Sequence, residues 1–175
     1  MNVLMVEPGK APYETQIGSD LQSMQALVGG YIQAVYPYEE PVALICNEDG
    51  KLDGLPLNRA LRDSDGDIYD IVAGNFFIVG LGQNDFTDLP HELAEQFAER
   101  FRQPELFLRE GDKIAAAPMP AHAGESGWEI PISAEKLLQQ ELVTARKTEN
   151  GQWYAITTDP QPKMVETEQI QEMHL

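Results

Sequence analysis

Asn58, Arg59 and Arg62 bring one carboxamide and two guanidinium groups together within five residues, directly behind the Gly54-Leu55-Pro56 bend of "GKLDGLPLNRALRD". The proline fixes its own φ while the glycine frees the backbone before it, so the bend has a defined direction. If "LNRALR" forms a helical turn, Arg59 and Arg62 stand at i and i+3 and face nearly the same way. Two guanidinium forks so placed suit a pair of phosphates, and Asn58 can read a base or ribose edge. Tyr31, Tyr36 and Tyr38, on the strand expected after Gly29-Gly30, can stack a nucleobase and donate a hydrogen bond. The candidate ligand-binding residues are therefore Arg59, Arg62, Asn58, Tyr31 and Tyr36. The same spacing also suits a surface role. There the arginines neutralise Asp53, Asp63 and Asp65 and the tyrosines pack across strands.

Other chemistries fail on spacing. In "DSDGD", Gly66 is fourth and Gly74 twelfth from Asp63, whereas a calcium loop needs glycine sixth and glutamate twelfth. "GLGQND" has two dinucleotide-binding glycines, but Asp85 replaces the third and would oppose a phosphate. His91, His122 and His174 have no second ligand at metal spacing. "GESGW" lacks the glycine frame of a nucleophile elbow. Cys46 lies in the apolar run "VALIC" and reads as a small buried hydrophobe. No catalytic residue, metal site or cofactor is predicted.

The charge balance narrows the partners. Against 12 basic side chains stand 29 acidic ones in 175 residues, a formal net charge of −17. Such a surface repels phosphate backbones, so direct nucleic-acid binding is not expected, although an acidic face can imitate DNA. No apolar run reaches the roughly 18 residues that cross a bilayer, and "MNVLMVEPGK" lacks a secretion signal. A cytoplasmic protein with no membrane partner is the expectation.

The elements that must hold these residues follow from pattern. "NVLMVE" and "YETQI" around "PGK" read as a hairpin. Ser19 opens a capping box with Gln22, and the helix it starts carries Leu21, Met24, Leu27 and Val28 inward before Gly29-Gly30 ends it. "YIQAVYPY" and "PVALICNEDGK" read as strands, and "IYDIVAGNFFIVGLG" as one last strand centred on Phe76 to Val79. The order β-β-α-β-β-β predicts an α+β fold, a mixed and mainly antiparallel sheet with a helix on one face. "TDLPHELAEQFAERFRQPE" is a helix with Leu93, Phe97 and Phe101 as its stripe. "ELFLREGDKIAAAPMPAHAGESGW" reads as an extended connection with a strand pair, "ISAEKLLQQELVTARK" as a helix capped by Ser133, and "GQWYAITT" as a strand. The domains expected are 1–86, a smaller helix and strand extension over 87–158, and a polar, frayed tail over 159–175.

The segments "VEPGK", "LQ..VGGYI..VYP", "ALICNEDGKLDGLPLNRALRD" and "IYDIVAGNFFIVG", in this order over residues 1–83, resemble the family known as domain of unknown function 3846. Its members occur in Firmicutes, their phages and conjugative elements, often beside anti-restriction genes. The resemblance implies a mobile-element accessory protein and assigns no catalytic residue. Under it the expected function is non-enzymatic counter-defence, in which a small nucleotide-type immune signal is bound and sequestered, with a homo-oligomer as a further expectation. Two alternatives stand beside it. One is an acidic DNA mimic whose partner is a host defence protein, and the other is a hydrolase of the nucleotide signal.

Overall fold

A computed structural model describes residues 1–110, 113–118, 128–132, 142–143, 145–147, 153–157 and 164–165. The chain divides into two compact units, Met1–Gln103 and Pro104–Leu175. The first unit thus runs past residue 86 and includes the helix that the sequence placed in the extension.

The first unit is built on a sheet ordered β2-β1-β7-β4-β3, with β8 also on β7. Its strands are β1 (Asn2–Val6), β2 (Tyr13–Gln16), β3 (Ile32–Val35), β4 (Val42–Asn47), β7 (Phe76–Leu81) and β8 (Phe86–Thr87). Every pairing in it is antiparallel. A separate hairpin of β5 (Leu57–Arg62) and β6 (Ile68–Ala73) is inserted between β4 and β7. Helix α1 (Leu21–Val28) follows β2, and α2 (His91–Arg100) follows β8. The fold is α+β and mainly antiparallel, as the pattern predicts.

The helices lie on opposite faces of the sheet. Val3, Met5, Ala43, Ile45, Phe77 and Val79 pack with Met24 and Val28 of α1. Their sequence neighbours Leu4, Val42, Leu44, Phe76 and Ile78 pack with Ala94 and Phe97 of α2, with Phe101 just after it, and with Leu61 and Val72 of the hairpin. Alternate residues of a strand face opposite sides, so a strand covered on both is apolar throughout. That is why "VALIC" and "FFIV" show no alternation. A helix on one face only was expected; the second cover is α2 with the hairpin.

Three local readings are corrected. "LNRALR" is strand β5, not a helical turn, and the apolar run read as one strand is two, β6 and β7, broken at Gly74-Asn75. Gly74 has φ 78°, a backbone region that costs a side-chain-bearing residue. The cap of α1 is Asp20 rather than Ser19: Asp20 Oδ1 accepts from the Ser23 N–H at 2.8 Å and Oδ2 from the Ser23 hydroxyl at 2.7 Å. Gly29 ends α1 in the left-handed conformation at φ 77°, as predicted.

In the second unit β9 (Glu105–Glu110) and β10 (Lys113–Pro118) form the expected strand pair. β14 (Trp153–Thr157), also expected, lies between β11 (Trp128–Ile132) and β13 (Ala145–Lys147). The last residues of the predicted helix over 132–147 are thus strand, because Lys147 and Ala145 pair with Trp153 and Ala155 instead of winding. Residues 133–141 lie outside the described residues. β12 (Leu142–Val143) pairs with β15 (Met164–Val165), a short strand within the stretch expected to fray.

Candidate functional site

The five sequence-predicted residues do not gather in one site; only Asn58 and Arg59 meet, and they do so in the interior. Asn58 and Arg59 are wholly interior, each 0 % exposed. The Asn58 amide donates to Val6 C=O at 2.9 Å and Gly74 C=O at 2.8 Å, joining β5 to the end of β1 and to the turn before β7. Arg59 donates from Nε and Nη2 to Phe101 C=O at 3.1 and 3.0 Å, from Nη2 to Lys10 C=O at 2.6 Å, and from Nη1 to Asn58 Oδ1 at 2.9 Å. A guanidinium suits this place because it carries five donors in a fixed fork and the C-terminus of α2 presents unpaired carbonyls. The helix dipole adds a favourable charge interaction there. Both residues therefore hold the hairpin, α2 and the Pro8-Gly9 turn together and are withdrawn from the ligand-binding set.

Arg62 lies at the exposed end of β5, since a register shift between Leu61 and Arg62 separates it from the buried run before it. It lines an open groove of about 590 Å³ with Tyr38, Tyr69 and Arg100, bounded by Glu39, Glu40, Asp63 and Ser64. Tyr31 and Tyr36 are outside this groove, at the two ends of β3, with 71 % and 61 % of their surface exposed. Only Arg62 of the five predicted residues reaches it.

Arg100 occupies the last turn of α2 and its guanidinium carbon stands 4.7 Å from the centre of the Tyr38 ring. Tyr38 in turn meets Phe97 edge-to-face at 4.7 Å, so the cation rests on an aromatic pair anchored in the core. Such stacking keeps the guanidinium edge available for an anion while its face is covered. Burial pushes the Tyr38 hydroxyl well above its usual range, Arg100 opposing, so it stays a donor. The acids on the rim are partly committed elsewhere. Asp63 Oδ1 accepts from the Asp65 and Asp67 amides at 2.9 and 3.0 Å, and Glu40 Oε1 accepts from Gln96 Nε2 at 2.6 Å. Hydrogen bonds from its own amide and from Gln96 hold the Glu40 carboxyl below its ordinary value, with Arg100 adding to them. Tyr69 is 56 % exposed and supplies a second ring. The groove thus gathers two tyrosines and two guanidiniums on one surface, groups that suit a ligand with a planar part and an anionic part.

Sequence reasoning did not find Arg100 or Tyr69 as site residues. Four separate segments supply Tyr38, Arg62, Tyr69 and Arg100, and only the fold brings them together. Arg100 within an acidic helix, one turn after Phe97, was the one local signal.

Two other predicted features are placed by the structure. Cys46 is buried, and burial raises its thiol, helped by Asp70. His91 Nδ1 lies 3.1 Å from Glu14 and Nε2 3.3 Å from Glu95, so it bridges α2 to β2. Among the described residues no group of His, Cys, Asp and Glu is arranged to hold a metal ion, and no helix is long and apolar enough to cross a membrane. His122 and His174 lie outside the described residues.

Compared with known proteins, residues 1–102 match the family model described as "Domain of unknown function (DUF3846)". The chain belongs to that family. The match ends close to the border of the first compact unit at Gln103, so the groove, β3 and the buried Asn58-Arg59 pair all lie in the family domain. No curated protein and no solved structure matches the chain.

Proposed function

We propose that this protein is a non-catalytic binder of a small nucleotide-type anion, held in the Tyr38-Arg62-Tyr69-Arg100 groove, and that it serves counter-defence by withholding such a signal. The reading keeps the ligand class argued from the arginine and tyrosine content and moves the site from Asn58-Arg59 to the groove. The observation that carries it is the Arg100 guanidinium stacked on Tyr38 in a recess of about 590 Å³. That volume falls within the roughly 300–1,000 Å³ of ligand sites, and cation plus ring is the pairing that a phosphate joined to a base requires. Sequestration asks only for affinity and slow release, so it needs no nucleophile or acid/base pair.

Calorimetric titration with ADP-ribose and with cyclic dinucleotides tests it. Saturable binding of at least one is expected, weakened at least about tenfold by Arg100→Ala and by Tyr69→Ala, a loss of about 1.4 kcal/mol or more. No binding by any of them, or binding unmoved by both variants, overturns the reading.

The acidic decoy gains from one observation. Arg59 is interior, so its positive charge does not interrupt the negative surface a decoy needs. The surface excess is correspondingly larger. A decoy would displace duplex DNA from a host DNA-binding protein and leave nucleotides free in the titration above.

A further inference from the structure

Strand β3 is an edge of the sheet: β4 lies on one side and, among the described residues, no strand pairs with the other. The Glu48 N–H donates to Tyr31 C=O at 2.9 Å, which sets the phase of the ladder Ile32↔Asn47, Gln33↔Cys46 and Ala34↔Ile45. In antiparallel pairing, polar backbone groups of alternate residues turn to the same side. Tyr31, Gln33 and Val35 therefore turn theirs to β4, while Ile32 and Ala34 turn theirs outward. Proteins blunt such an edge with charge, proline or a bulge. From Tyr31 to Tyr36 there is no charged residue and no proline, whereas the opposite edge, β2, carries Glu14.

On the α2 side of this edge lies a cleft of about 150 Å³ between β3-β4 and the hairpin, floored by Val35, Cys46, Leu61 and Val72. A void of that size takes a group about as large as benzene. Leu52 at its mouth is 87 % exposed, an apolar side chain with no cover. A residue opposite Gln33 or Val35 on an added strand would direct its side chain to this face, because paired residues share a face. The rim is acidic: Glu48, Asp49 and Asp70 line it, and the Lys51 ammonium is bound to Asp70.

We propose that the β3 edge and this cleft together dock an extended peptide segment of a partner protein by strand addition. One branched aliphatic side chain enters the cleft and basic residues lie against the rim. Backbone bonds to Ile32 and Ala34 supply the pairing, and the cleft and its acids select the sequence. A second copy of the chain fits less well, since joining two β3 edges sets acidic rims of like sign near each other, with a formal charge of −17 on each copy.

The test is a fluorescence-anisotropy titration of the full chain with an end-blocked peptide having a Val-Leu-Val centre flanked by paired lysines. Saturable binding is expected, at least about tenfold weaker when the lysines are replaced by glutamates. Ala34→Pro removes an outward N–H without touching the β4 ladder and should lower affinity at least about tenfold with an unchanged circular-dichroism spectrum. Should that variant not fold, a peptide N-methylated at the amides facing β3 interrogates the same bonds, and the same loss is expected. Equal binding by the blocked partner, no saturation by the lysine peptide, or concentration-dependent dimerisation in place of peptide binding each overturns the proposal.

Discussion

Replacing Arg59 by methionine tests the interior role of this residue through stability. Methionine keeps much of the side-chain volume and removes every donor, so the loss measures hydrogen bonding more than packing. The acceptors that lose a donor include Phe101 C=O, Asn58 (both Oδ1 and C=O) and Lys10 C=O. The bonds to Phe101 and Asn58 are buried, and an unsatisfied buried acceptor costs about 1–3 kcal/mol; the Lys10 bond is part-buried, where water can replace the donor. The expected loss is about 3–5 kcal/mol, a large share of a total of about 5–15 kcal/mol. With a urea slope of about 1–3 kcal/mol/M, the midpoint should fall by roughly 2 M. Both tryptophans, Trp128 and Trp153, lie in the second unit, so the assay must follow far-ultraviolet circular dichroism or amide exchange in β4 and β7 rather than indole fluorescence. Arg62→Met, at an exposed strand end, is the control and should change stability by no more than about 0.5 kcal/mol. If Arg59→Met and Arg62→Met shift the midpoint equally little, the assignment of Arg59 to the interior scaffold is wrong.

Asn58→Leu should cost about 2–5 kcal/mol, because Val6 and Gly74 carbonyls lose their donor and Arg59 loses an acceptor, read as the same urea midpoint. Gly74→Ala should destabilise by about 1–2 kcal/mol, since alanine is strained at φ 78° and its Cβ would come 2.8 Å from Leu55 Cδ1; thermal unfolding checks it. Hydrogen bonding to Glu14, aided by the charges of Glu14 and Glu95, raises the His91 pKa, so this contact stabilises below the ordinary histidine value and is lost as pH rises through the raised one. An NMR titration should show the His91 midpoint falling back in Glu14→Gln. The Asp20 carboxyl is held below its ordinary value by Ser23, so its cap is intact above that value and fails as pH falls through the lowered one. The stability gap between wild type and Asp20→Ala should close in that acidic range.

How far the sequence spoke depended on whether burial and polarity agreed. Where they did, β1 to β4, the left-handed exit at Gly29 and the Phe97-Phe101 stripe of α2 were legible. The β5 hairpin was not, because Asn58 and Arg59 are interior polar residues in a strand of six. A reading that puts charge outside turns "LNRALR" into an exposed turn. Their partners, Val6, Lys10, Gly74 and Phe101, are remote in sequence, and all four act through backbone carbonyls that no residue type announces. The groove was hidden for a related reason. Arg62 and the aromatic character of the Tyr36-Tyr38 segment were visible, but the stacking of Arg100 on Tyr38 needs α2 folded back over the sheet.

Recovery of ligand by heat tests the central claim most directly: the chain, equilibrated with ADP-ribose or a cyclic dinucleotide and freed of unbound ligand, is denatured and the supernatant analysed by chromatography. The account predicts intact nucleotide from the wild type in proportion to protein, and none from Arg100→Ala. A converted product, or an equal yield from Arg100→Ala, contradicts it.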